Sequence, residues 1–288
     1  MFSSFAIIMI TALLAGELFR RLRLPALMGM IISGIIIGPY VLNLIDTYVL
    51  EISAELRKIA LIIILMRAGL SLYTEKLRKI GRPAIMMCFV PACFEILGMV
   101  LHFHIRDTVK IILIMSVSFV FTVFEDKYGS VIPFSAMIGV MCSGLSIKKV
   151  NPKLSERLSL RFSKLWVLFE ILLFVLVGTC INIRYAAKAG SFAVILIFAV
   201  LAFRMSSVAV CLIKTGLVFK ERLFCMLAYM PKATVQAAIG GIPLAIGLSC
   251  GEVLLTVAVL SIIITAPLGA FLIDMTYKKL LNKQSDLG

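Results

Sequence analysis

The sequence predicts an all-α integral membrane protein with about ten transmembrane helices, each needing about 20 mainly apolar residues. Three observations carry that expectation. Apolar residues make up 61% of the 288-residue chain and charged ones 15%, with a mean hydropathy of +1.09. Soluble domains lie nearer roughly 45–50% and 25%. The apolar residues fall in runs long enough for a helix to satisfy its own backbone in lipid, without the alternation of a membrane β-barrel. The Lys and Arg residues, 29 against 15 Asp and Glu, sit in short clusters between runs. That is the pattern of cytoplasmic loops rather than of a nucleic-acid-binding surface.

In chain order the runs fall at roughly 5–19, 26–43, 56–72, 83–103, 108–124, 131–147, 163–183, 190–213, 223–247 and 252–275. The first, from Phe5, is followed rather than preceded by positive charge and lacks a small-residue cleavage site, so it reads as a retained span. The second takes in Gly34–Asn43. The third ends before the Lys76–Arg82 cluster, and the fourth follows that cluster. The fifth stops before Glu125-Asp126, which read as loop residues. The sixth ends before Lys148, the seventh begins near Lys164, the eighth ends before Lys214, the ninth follows Arg222 and the tenth ends before Lys278. One polytopic membrane domain is expected to use residues 1–288. The seven cysteines, Cys88, Cys93, Cys142, Cys180, Cys211, Cys225 and Cys250, lie in apolar runs without metal-ligand spacing, and read as packing residues.

Loop charge gives two orientations. Arg20, Arg21 and Arg23 mark one cytoplasmic loop and Lys76, Arg78, Lys79 and Arg82 another, which places the stretch at 104–107 outside. Lys148, Lys149, Lys153, Arg157, Arg161 and Lys164 form a strongly positive loop, followed at alternate loops by Lys214, Lys220 and Arg222, then by Lys278, Lys279 and Lys283. Counting back from these places 104–107 inside. An odd number of absent spans at that junction, or one miscounted helix, removes the conflict.

Ionisable groups at membrane depth cost several kcal/mol and are functional candidates by default. Glu17 has Arg20 and Arg21 beside it, so a snorkelling interfacial pair explains it. Arg67 lies about one turn from a span end and suits a structural or a functional role. Glu95 and Arg204 lie mid-span, where burial favours pairing with each other or with another buried group. Glu170 reads as a residue of a helix interface. In Met230-Pro-Lys-Ala-Thr-Val-Gln-Ala-Ala-Ile-Gly-Gly-Ile-Pro243, a proline and two glycines bracket Lys232, Thr234 and Gln236. This is the pattern of a discontinuous transporter helix or of a proline kink with a snorkelling lysine. His102 and His104 lack the companions of a metalloenzyme motif, and no enzyme and no cofactor are expected.

The stretches Met230–Gly240, Ile264-Thr-Ala-Pro-Leu-Gly269 and Leu56-Arg-Lys-Ile-Ala-Leu-Ile-Ile-Ile-Leu-Met-Arg-Ala-Gly-Leu70 resemble the NHA subfamily of monovalent cation:proton antiporters. Gly34-Ile-Ile-Ile-Gly-Pro-Tyr-Val-Leu-Asn43 looks like the bacterial branch. The resemblance implies a homodimer in the bacterial inner membrane with about thirteen spans in inverted repeats, exchanging Na+ or Li+ for H+ by alternating access. It implies that Glu95 and Arg204 take the places of an intramembrane ion pair and that Lys232 sits on a crossing, broken helix. Arg67, Thr234, Gln236 and Glu170 are secondary candidates, and any metal is a transient Na+ at Glu95.

Members of that family also carry an adjacent acidic pair, or Asn-Asp, on a helix after the first broken helix. This sequence has none between Glu95 and Arg106-Asp107-Thr108-Val109-Lys110. The resemblance therefore implies an incomplete antiporter-like fold: a first-repeat part at 1–104, a second-repeat part at 105–288 and a missing segment at about 104–108. Three absent spans correspond to roughly 75–90 residues, an odd number at the junction where the orientations conflict. Two functions stay open: cation:proton exchange, or an internally truncated, transport-inactive homologue or membrane interaction subunit.

Overall fold

The computed structural model describes residues 1–71, 106–129, 135–213, 215, 217–231, 236, 239–245 and 247–281. Among these, regular structure is helical throughout. The helices are α1 (Phe2–Arg21), α2 (Ala26–Ile37), α3 (Thr47–Glu51), α4 (Ser53–Ser71), α5 (Asp107–Tyr128), α6 (Ala136–Val150), α7 (Pro152–Thr179), α8 (Ile183–Leu212), α9 (Phe219–Ala228), α10 (Ile242–Ala245) and α11 (Gly251–Leu280). They overlap each expected span except 83–103, which lies outside the described residues. Among the described residues, four stretches, Phe2–Arg21, Asp107–Tyr128, Phe192–Leu212 and Gly251–Leu280, are long and apolar enough to cross a membrane, and Ala26–Ile37 is a shorter apolar helix.

Three expected boundaries need correction. α2 stops at Ile37 rather than 43, because Pro39 disfavours helix at Gly38 and offers no N–H to continue it. α5 runs on to Tyr128, so Glu125 and Asp126 are helical. Glu125 accepts a bond from Ala136 N at 3.2 Å at the start of α6, and Asp126 lies 3.1 Å from Lys58 Nζ. α7 starts at Pro152, so Arg157, Arg161 and Lys164 belong to a helix and not to a loop. Asn151 Oδ1 caps that start by accepting from Leu154 N at 3.0 Å, and proline suits a first helical position.

The chain divides into two compact units. In the first, Met1–Glu55 with Ile171–Gly288, α1 buries Ile8, Ala12 and Gly16 on one face and packs on α2. Gly34 of α2 and Gly178 of α7 stand where the two helix backbones approach so closely that a Cβ on Gly34 overlaps the Val175 carbonyl and one on Gly178 the Ile31 carbonyl. Small residues at such contacts let helix backbones approach in lipid, where dispersion rather than dewetting drives association. Ser4 Oγ donates to Asp46 Oδ2 at 3.1 Å and accepts from Asp46 N at 3.1 Å. The Met1 ammonium, which also bonds Asp46, and the Ser4 hydroxyl hold that carboxyl below the usual range.

In the second unit, Leu56–Glu170, Gly69 and Gly144 make the same kind of backbone approach between α4 and α6. Lys148 Nζ donates to Ser71 O at 2.8 Å and Ser155 Oγ to Leu70 O at 2.9 Å. Asp107 lies 3.2 Å from Arg157 Nε. The end of α4, the start of α5, the end of α6 and the start of α7 therefore meet at one end of this unit. The Lys58–Asp126 pair joins the start of α4 to the end of α5 at the other.

Candidate functional site

The stretch expected as one span at 223–247 is not one helix. Its ladder closes at Ala228: Tyr229 N donates to Cys225 O at 3.1 Å, Met230 N donates to Leu227 O at 3.2 Å, and Pro231 has no N–H to carry the helix on. Beyond Gly240 and Gly241 a short helix, α10, follows, and Gly247 turns at φ +75° ahead of α11. Pro231 thus accounts for the end of α9, and Gly241 lies at the turn before α10.

Two of the stretches quoted above meet at this break. The Pro231 ring lies where a side chain on Gly269 of α11 would stand, so glycine is required at that crossing. Farther up α11, Gln236 Nε2 donates to Ser261 Oγ at 2.5 Å and to Ala258 O at 3.4 Å. Ser261 Oγ donates to Ala258 O at 2.7 Å, and Thr265 Oγ1 to Ser261 O at 2.7 Å. Ser261 and Thr265 are buried, so Gln236, beyond the break, meets a polar strip within the apolar middle of α11.

Arg204 reaches the break from α8. Its guanidinium carbon lies 4.5 Å from the centroid of Tyr229, the residue that follows α9. A cation over an aromatic face keeps part of its electrostatic stabilisation where water is scarce. Arg204 is half-buried, and Phe203 beside it is 81% exposed, in keeping with a helix that turns one face to lipid.

Arg204 is therefore placed at the break, against Tyr229, and Gln236 farther along, on the α11 strip. Glu95, Lys232 and Thr234 lie outside the described residues, as do His102 and His104. Arg67 on α4 and Glu170 on α7 are half-buried and belong to the second unit. Glu17 is an exposed interfacial residue, 3.7 Å from Arg20 and 3.5 Å from Arg21. Cys142, Cys180, Cys211, Cys225 and Cys250 are free thiols, and no cluster of three metal-ligating side chains occurs among the described residues. Sequence reasoning passed over Tyr229, Ser261 and Thr265. The last two stand at i and i+4 in an apolar run, a spacing that shares one helix face.

Arg204, Gln236 and the α11 strip offer neutral oxygens, an amide and a fixed cation. None of those described residues is a carboxylate, so they do not themselves balance a cation's charge.

Comparison with known proteins agrees with this architecture. A family model described as sodium/hydrogen exchanger, transmembrane, matches residues 7–124 and 99–279 in two overlapping stretches. The chain is 37% identical over 129 residues to sodium/hydrogen exchanger 9B2 of Xenopus tropicalis, covering 41% of this chain and 24% of that protein. It is 38% identical over 129 residues to the Homo sapiens 9B2 exchanger, with the same coverage, and 34% identical over 131 residues to human 9B1, covering 42% and 25%. It thus spans about a quarter of the length of the curated relatives it matches. In fold it is similar to the sodium proton antiporter MjNhaP1 from Methanocaldococcus jannaschii, with a TM-score of 0.74 and 13% identity over 94% of this chain and 98% of that one.

Proposed function

The chain belongs to the sodium/hydrogen exchanger family, and from that premise we propose that it exchanges Na+ or Li+ for H+ by alternating access. It is a multi-pass membrane protein; the bacterial inner membrane, suggested by Gly34–Asn43, and a homodimeric state complete the proposal. The observation that carries the reading is the break at Tyr229–Pro231, seated on Gly269 with Arg204 against its first residue, and followed by Gln236 bonded to Ser261. Broken helices bring backbone oxygens and helix-dipole ends to an ion at mid-membrane.

In this reading Glu95 binds either cation or proton, Arg204 pairs with it between turnovers and Lys232 offsets the carbonyl end of a half-helix. Thr234 and Gln236 line the broken helix, while Arg67 and Glu170 serve as secondary candidates on helices of the other unit. The chemistry is demanding. An arginine lowers its partner carboxylate's pKa and competes for its oxygens, and the acidic pair that family members place beside the site has no counterpart here.

A second reading, an internally truncated and transport-inactive homologue or a membrane interaction subunit, is favoured by a specific observation. Ser71 and Asp107 stand at the same end of their unit, while the intervening sequence holds one apolar run of crossing length, 83–103. A single crossing does not join two points on one face. Loss of an odd number of spans at about 104–108 accounts for this, and the two overlapping family matches divide in the same region.

Proteoliposomes holding a pH gradient separate the readings. Exchange predicts collapse of the gradient on adding Na+ or Li+, abolished by Glu95→Gln. No collapse, with a full-length relative active in parallel, leaves the inactive reading standing.

A further inference from the structure

Within the unit Leu56–Glu170, α5 and α7 start at the same end and enclose a groove of about 1000 Å3, with Ile63 of α4 in its lining. The lining is graded. Asp107 and Thr108 of α5 and Arg157, Arg161 and Lys164 of α7 form its mouth; Met115, Phe119, Leu165 and Leu168 continue it as an apolar channel. The three cations recur at i, i+4 and i+7, so they share one helix face, and one carboxylate opposes them.

Asp107 Oδ2 accepts from Arg157 Nε at 3.2 Å and lies 3.6 Å from Arg161 Nη2; Arg161 Nη1 donates to Thr108 Oγ1 at 2.9 Å. A guanidinium carries five donors and an ammonium three. Donors of both arginines, which are 57% and 46% exposed, and the exposed Lys164 ammonium are thus left for a ligand. From Asp107 to Phe119 the groove runs about 18 Å along the helix, roughly the depth of one leaflet. Its volume lies at the upper end of the roughly 300–1,000 Å3 of ligand pockets.

We propose that this groove binds one anionic phospholipid from the leaflet at its basic end, with the phosphate against Arg157, Arg161 and Lys164 and an acyl chain along Met115, Phe119 and Leu168. A zwitterionic headgroup brings a cation of its own to a cationic mouth. A soluble phosphate gains nothing from the apolar channel. The positive cluster at the end of α6, Lys148 and Lys149, with Lys153 beside it, stands at this end of the unit and favours the cytoplasmic side, whose leaflet is the anionic one. The proposal stands independently of whether the chain transports ions.

The test follows lipid retained by the full-length purified chain in native mass spectrometry, with size-exclusion profiles reporting folding. Dioleoyl phosphatidylglycerol is expected to be retained at least about tenfold over dioleoyl phosphatidylcholine at equal supply. Lys164→Gln, at an exposed position, lowers that preference about fivefold. Ile112→Trp, on the groove wall and 60% exposed, reduces retention of both lipids. Equal retention of the two lipids by the unaltered chain overturns the proposal. So does unchanged retention in either variant, or displacement of phosphatidylglycerol by millimolar inorganic phosphate.

Discussion

Arg204 and Tyr229 form a pair whose coupling is measurable. A cation over a ring contributes about 0.5–2 kcal/mol depending on desolvation, so a double-mutant cycle of Arg204→Gln and Tyr229→Leu is expected to return a coupling in that range from thermal unfolding in detergent. Additive effects would show that the ring contributes nothing to holding the arginine. Gly269 makes a harder constraint, because the Pro231 ring occupies the space of its absent side chain. Gly269→Ala is expected to cost about 1–3 kcal/mol by overpacking, read as a lowered melting temperature. The same substitution at Gly247, where nothing lies near but φ is +75°, acts through backbone strain alone. A residue's depth and type were legible in the sequence, and Arg204 stood out on that basis. Its aromatic neighbour was not, since Tyr229 becomes a partner only once α9 has ended and turned.

Between elements, exposed and sheltered ion pairs differ in what they hold. Lys58 and Asp126 are 35% and 64% exposed, and Asp126→Asn is expected to cost at most about 1 kcal/mol. Asp107 is only 16% exposed and serves two arginines. Asp107→Asn is expected to cost about 1–2 kcal/mol, to be partly masked by high salt, and to be visible as the larger fall in melting temperature. Helix positions were readable from hydropathy because lipid demands an internally satisfied backbone. Helix ends are less legible, since clustered charge marks a loop only loosely. A run of Arg and Lys does not end a helix; lost donors and caps do. Asn151-Pro152 already carried the start of α7, and Pro39 the end of α2.

For the whole molecule, topology is the property most open to a direct check. Single cysteines at Ser71 and Arg106, in a background without native cysteines, are expected to react with an impermeant maleimide from the same side of oriented vesicles, and one at Gly129 from the opposite side. Labelling of Ser71 and Arg106 from opposite sides would overturn the placement of α4 and α5 and remove the structural support for a lost segment. The contradiction between the two loop-charge counts was visible in the sequence. Contacts across 77 and 85 residues, from Lys148 to Ser71 and from Ser155 to Leu70, were needed to give it a geometric form.

α11 carries a further consequence. Its 30 residues rise about 45 Å, yet its apolar stretch between Glu252 and Asp274 covers about 32 Å, close to the roughly 30 Å of a bilayer's hydrocarbon layer. Beyond Asp274 the helix continues through Lys278 and Lys279 to Leu280 as a charged stem in the headgroup layer and the water beyond it. The protein thereby carries its own gauge of membrane thickness. A thicker bilayer must draw Asp274 inward or thin around it, and a thinner one must tilt the helix that holds Gly269 against Pro231. The hydrophobic mismatch of the surrounding lipid thus reaches the break along α11, whose interior Pro267 stands two residues before Gly269.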